Sequence, residues 1–237
     1  MPVLVTALRF RNRFMPGYAS RLARTYESHR DNIRWRKEAE AFERLYALVR
    51  PATVLDCPVG TGRWLPVFQR NGAAVVGMDL SEHMLAVARK RVGPGADVRL
   101  VEGDALDPAL LRSLDQRFDL IVCTRFAHWL PPKALSGLIG SFAASGSRFL
   151  LLGAKVSPEG PPRRHAAPSW RRIGKRIKAR LHRNIVNHVH QEDVLLGIAR
   201  EHGWSLVTKE LVLENADSRY FFYLCSAAPM RQGRSAA

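Results

Sequence analysis

From Ala52 to Ser226 the chain alternates short apolar runs, rich in β-branched residues, with stretches whose apolar positions recur every three or four residues. The runs at 53–56, 74–79, 98–103, 118–124, 148–154, 206–213 and 220–226 predict seven strands. Helices are predicted between them at about 62–71, 82–91, 108–114, 131–144 and 191–202, the second capped by Ser81 and the last stopped by Gly203. Strands apolar on both faces and joined through helices make a parallel sheet covered on both sides. Only 214–219 separates the last two runs, which is long enough for a hairpin but too short for a helical crossover. The expected fold class is therefore α/β, a doubly wound seven-stranded sheet, mostly parallel with an antiparallel C-terminal hairpin strand.

Two segments fall outside this rhythm. Residues 1–50 read as a helical N-terminal cap, with Trp35, Ala39, Phe42, Leu45, Tyr46 and Val49 on one stripe. A basic insert at about 155–190 opens with the Pro/Gly-rich stretch 157–162 and continues into a pattern in which Trp170, Ile173, Ile177, Leu181 and Ile185 share one helical face. Lying between the fifth strand and the next helix, it is expected over the carboxyl end of the sheet, as a lid or binding element. The reading is one domain over 51–227, with these two decorations and a flexible tail at 228–237.

Charge sharpens the picture. The net charge is +16, and residues 155–183 hold ten basic groups against one acidic, while 51–154 hold eleven against nine. A nearly balanced core flanked by basic surface suits an anionic partner: an anionic acceptor, an anionic membrane surface, or RNA reached through 163–183. Plain solubilisation is the competing reading. No apolar run nears the roughly 18 residues of a membrane-spanning helix, and the arginine-bearing start resembles an organelle transit peptide only faintly. Cys57, Cys123 and Cys225 lie in or beside apolar runs with no metal-ligand spacing, so buried thiols, no metal and a cytoplasmic location, peripheral to a membrane if the insert binds one, are expected.

The chemistry concentrates at strand ends. Val54-Leu-Asp-Cys-Pro-Val-Gly-Thr-Gly-Arg63 runs a strand into an acid and then a glycine turn. Gly60 and Gly62 let backbone approach a ligand, and Asp56 can accept a hydrogen bond from an ammonium or a water beneath it. A dinucleotide fingerprint would need a third glycine where Leu65 stands, and a helix N-terminus for pyrophosphate. Asp79 ends the second strand 17 residues after Gly62, where an acid can take both ribose hydroxyls. Asp104 follows the third strand, at the height of an adenine. Singly, each is an ordinary turn residue or N-cap; together they make one site.

On these residues the chain resembles the class I S-adenosylmethionine-dependent methyltransferase superfamily, in particular its bacterial small-molecule members, over about residues 50–227. The resemblance implies a Rossmann-like methyltransferase fold, S-adenosyl-L-methionine as donor and S-adenosyl-L-homocysteine as product. It assigns the methionyl contacts to Asp56, Pro58, Gly60 and Gly62, the ribose to Asp79, followed by Leu80 and Met84 in the opening of the next helix, and the adenine to Asp104 and Ala105. The stretch 118–124, ending in Thr124, resembles the strand that lines the transfer site. Pro58 departs from the glycine usual there and lacks an amide donor; Arg63 is expected to replace the lost contact with a charged one.

The acceptor is less legible. Arg125-Phe-Ala-His-Trp129 follows the fourth strand, which makes His128 the first candidate for a general base and Arg125 an anchor for an anionic acceptor; packing under the next helix explains His128 and Trp129 equally well. His188 and His190 sit where they could reach the mouth. The activities to be weighed are methyl transfer to a small or lipid-linked, anionic acceptor, RNA methylation, and donor binding without turnover.

Overall fold

The computed structural model describes residues 33–114, 116–157 and 188–227. Residues 1–32 of the expected cap, the amphipathic stretch with Trp170, residues 163–183 and the tail at 228–237 lie outside the described residues.

In chain order the elements are α1 (Ile33–Val49), β1 (Thr53–Asp56), α2 (Leu65–Arg70), β2 (Ala74–Asp79), α3 (Glu82–Arg89), β3 (Val98–Glu102), α4 (Pro108–Ser113), β4 (Leu120–Cys123), α5 (Pro132–Ala144), β5 (Phe149–Val156), α6 (Glu192–Glu201), β6 (Trp204–Glu214) and β7 (Arg219–Ala227). A single 3₁₀ turn, Ala127–Trp129, follows β4. The seven strands form one sheet in the order β3-β2-β1-β4-β5-β7-β6. Five of them pair in parallel, and β7 enters antiparallel between β5 and β6. That is the expected doubly wound fold with its C-terminal hairpin, whose tight turn is built by the Asn215 carboxamide oxygen accepting from the amides of Asp217 (3.1 Å) and Ser218 (2.9 Å).

Alternation along the buried strands sends side chains to two cores. On β4, Leu120 and Val122 join Phe42, Leu45, Phe68 and Leu85 on the face covered by α1, α2 and α3. Ile121 and Cys123 join Leu138, Phe142, Leu195 and Trp204 beneath α5 and α6. All three cysteines are free and buried. Helix starts follow local chemistry: the Ser81 hydroxyl accepts from the Met84 amide (3.4 Å), and Asp107 caps α4 through the amides of Ala109 and Leu110.

Two boundaries differ from expectation in a way that matters. The helix expected from residue 62 begins only at Leu65, because 60–64 form an irregular turn in which Gly60 and Gly62 take φ of +56° and +71°. Strand β5 runs on to Val156, where His190 forms a bridge to it: the His190 amide donates to the Lys155 carbonyl and the Ser157 amide to the His190 carbonyl, each at 2.9 Å. The two ends of the insert thus meet at the carboxyl end of β5, beside the turn that follows β4. Strand order reverses between β1 and β4, opening a crevice at their carboxyl ends.

Candidate active site

The crevice is an open cavity of about 270 Å³ at the tips of β1 to β4. Of the residues singled out from sequence, Asp56, Pro58, Gly60, Arg63, Asp79, Leu80, Met84, Asp104, Ala105, Thr124 and Arg125 line it. Two do not. Gly62 packs instead, since a Cβ there would lie 2.6 Å from Leu65 Cδ1 and 3.0 Å from Ala88 Cβ, so its absence lets the turn settle on α3. His128 is buried in the 3₁₀ turn and is not among the lining residues, although its neighbours Phe126 and Trp129 are.

The three acids differ in environment, and each difference has a cause. Asp79 accepts from the Gly60 amide through Oδ2 (2.9 Å) and from the Ser81 amide through Oδ1 (2.8 Å), so it ties the glycine turn to the start of α3. Burial nevertheless pushes its carboxyl up to about 6, the two backbone donors acting the other way. Asp56 is almost fully buried, and its Oδ2 has no hydrogen-bond partner among the described residues. Burial first and the charge of Asp79 second raise its carboxyl well above the usual range. Burial also raises Asp104, whose Oδ1 accepts from the Leu106 amide at 2.9 Å. A buried carboxylate oxygen without a donor is costly, and an ammonium placed over β1 would satisfy Asp56. Asp79, with a second lone pair on each oxygen, can accept from two vicinal hydroxyls. Acceptors fit for an ammonium, a vicinal diol and an amine thus follow one another in the order β1, β2, β3.

Two arginines line the other end, and neither is held as the sequence suggested. Both bind Glu38, a fully buried carboxylate on α1. Arg63 Nη1 is in contact with Glu38 Oε2, and its Nη2 donates to the Trp35 carbonyl at 2.9 Å. Arg125, in left-handed conformation (φ +58°), donates from Nε to Glu38 Oε2 at 3.0 Å and from Nη2 to Oε1. Burial alone would raise the Glu38 carboxyl; hydrogen bonds and charges from Arg125 and Arg63 outweigh it and hold the group below its ordinary value. A signal for Glu38 exists in the sequence: it stands three residues after Trp35 and four before Phe42, inside the apolar stripe. A lone acid on such a stripe needs a buried partner, but the stripe does not say which.

Around His128 the field is positive. Its ring is driven down to about 3 by burial, then by the charges of Lys155, Arg125, Arg34 and His190, and its Nδ1 has no partner among the described residues. A ring this hard to protonate is a feeble base. His188 donates its amide to the His128 carbonyl (2.7 Å), and His190 Nε2 donates to the Ala127 carbonyl (3.0 Å), so both fasten the end of the insert to the 3₁₀ turn. Among the described residues no group of three or more His, Cys, Asp or Glu is arranged to hold a metal ion.

A doubly wound sheet whose last strand enters antiparallel, with a glycine turn after its first strand, is the architecture of the Rossmann-like methyltransferase fold. The comparisons agree: residues 54–145 match the family described as a methyltransferase domain. A demethylmenaquinone methyltransferase of Thermus thermophilus is 31% identical over 135 residues, covering 54% of this chain and 58% of that protein. The demethylmenaquinone methyltransferase of Tropheryma whipplei (strain Twist) is 30% identical over 175 residues, 68% of this chain and 66% of the relative. The chain thus matches less than two thirds of the length of these relatives. Among solved structures, magnesium protoporphyrin IX methyltransferase from Synechocystis PCC 6803 with bound S-adenosylhomocysteine superposes with a TM-score of 0.62 at 15% identity, over 89% of this chain and 96% of that one, a likeness of fold. In sequence over residues 54–145, and in fold over most of its length, the chain is similar to the class I S-adenosylmethionine-dependent methyltransferases.

Proposed function

We propose that the protein transfers the methyl group of S-adenosylmethionine to a small acceptor that reacts as an anion, an aromatic or quinol-type oxyanion best fitting the site. The observation that carries the donor half is the unsatisfied Oδ2 of Asp56 beneath the cleft, with Asp79 and Asp104 on the next two strand tips. The donor supplies an electrophilic methyl on a sulfonium: the S–CH₃ bond breaks with its electron pair passing to sulfur, while the acceptor's lone pair forms the new bond. S-adenosylhomocysteine and methylated acceptor are the products, and the charges of sulfonium and anion cancel.

The acceptor half rests on three supports. Phe126 and Trp129 give the cleft an aromatic wall. Arg125 is the cation beside them, and Lys155 is close enough to Arg34 and Arg125 that their charges, after burial, depress its ammonium. His128 is a poor base, being buried and resistant to protonation, and an acceptor arriving as its anion requires none. The chain's own task is then alignment, an effect that can be worth roughly 7–11 kcal/mol. The names of the relatives support an acceptor of this class. A lipid-linked quinol would bring the enzyme to a membrane face; among the described residues no helix is long and apolar enough to cross one. In this reading 51–227 is the transferase domain and 1–50 its cap.

Labelled donor incubated with reduced naphthoquinones, substituted phenols, carboxylic acids and total RNA tests the proposal. Label in the quinol or phenol pool is expected. Label confined to RNA, or none anywhere despite measurable donor binding, overturns it.

A further inference from the structure

Helix α1 meets the residues that line the cleft through Trp35, Glu38 and Phe42. Glu38 receives Arg63, which belongs to the glycine turn on the donor side, and Arg125, which follows β4 on the acceptor side. Arg63 is further clamped between indoles, its guanidinium carbon 4.0 Å from the Trp35 ring centre and 4.3 Å from that of Trp64. Arg125 lies 4.6 Å from the same Trp35 ring. Trp64 in turn donates from Nε1 to the Thr124 hydroxyl at 3.0 Å, a second link from the turn to the end of β4. Both arginines line the cleft, whereas Glu38 does not.

We propose that Glu38 is a positioning residue: its buried carboxylate joins the donor-side and acceptor-side arginines into one unit, so that either half of the cleft is set only when the other is. The reasoning is geometric. Arg125 is held by a two-point carboxylate contact and Arg63 by one contact to the same carboxylate and one to the Trp35 carbonyl, so each planar guanidinium has little freedom and the shared carboxylate passes a displacement of one to the other. With no charge at Glu38, Arg63 and Arg125 repel each other across a dry contact and the turn carrying Arg63 loses its fixed edge. The inference rests on the cleft being the donor site.

The test reads S-adenosylhomocysteine affinity by calorimetry in the full-length protein, with thermal melting alongside. Glu38→Gln is expected to weaken binding about tenfold, and Arg125→Gln to weaken it about as much in the native background but by less than about twofold once Glu38 is Gln. Glu38→Asp keeps the charge but not the reach: it should melt close to the native protein and still bind weakly. Should Glu38→Gln fail to fold, the Arg63→Gln and Arg125→Gln pair needs no change at Glu38, and their effects are expected to overlap. Multiplying effects of the two arginine variants overturn the proposal, as does a Glu38 variant that melts lower yet binds with native affinity. Absence of any heat from the native protein instead removes the donor-site reading and this inference with it. Binding with independent arginine effects removes this inference alone.

Discussion

Asp79 does two things at once. It holds Gly60 and Ser81 by their amides, and its ionised form is the one that can accept two ribose hydroxyls. Burial holds its carboxyl at about 6, against an ordinary value of 3.8, so this residue favours the protonated state of the unliganded protein. Its contribution to stability is complete below about 3.8 and disappears as pH rises through about 6. Donor binding has the opposite sign, because ligand hydroxyls select the carboxylate. Affinity for S-adenosylhomocysteine is therefore expected to be flat above neutrality and to weaken roughly tenfold per unit below pH about 6, as calorimetry in a buffer series would read. Asp79→Ala removes charged acceptors worth roughly 1.5–3 kcal/mol, a loss of about 10- to 150-fold in affinity; an unchanged Kd would put the ribose elsewhere. Asp56, Asp79 and Asp104 were legible as a set because the first two close a strand and the third follows one by two residues, and a strand end has a known place in this fold. Glu38 was not, since its partners lie 25 and 87 residues away.

At the level of elements, α1 is the one that sequence underestimated. Its apolar stripe announces a buried face, and the face is indeed buried, but its target is the glycine turn as much as the sheet. Phe42, fully buried, stacks on Trp64 with ring centres 3.8 Å apart and planes 7° apart. It also meets Phe68 and Phe222 edge-on. Phe42→Ala should lower stability by about 3–5 kcal/mol in denaturant unfolding. Because Trp64 also flanks Arg63, the same variant should weaken donor binding, which a helix that merely caps the sheet would leave alone. The terminal hairpin, in contrast, was readable to within two residues at each end. A short polar link between two β-rich runs admits few solutions.

For the whole molecule, the cleft is where separate parts of the chain meet: the turn after β1, the tips of β2 and β3, the start of α3 and the loop after β4, with α1 bracing the two arginines from behind. A ligand that binds such a junction stabilises all of it. S-adenosylhomocysteine at a hundred times its Kd should add about 2.7 kcal/mol, seen as a rise of several degrees in melting temperature; adenosine, lacking the methionyl part, should give less at equal concentration. The +16 charge belongs to this scale too, and residues 155–183, which follow on from the end of β5 in the chain, hold ten basic groups against one acidic. Sequence by itself determined the architecture, the hairpin and the acids at the strand ends. Those are written in short-range signals: periodicity, turn residues and the position of an acid relative to its strand. Only the tertiary structure decided which residues line the cleft. It buried His128, turned Gly62 from a ligand contact into a packing one, and brought Glu38 between Arg63 and Arg125. A buried charge chooses its partner by proximity in the folded core, and proximity between distant residues leaves no trace in local pattern.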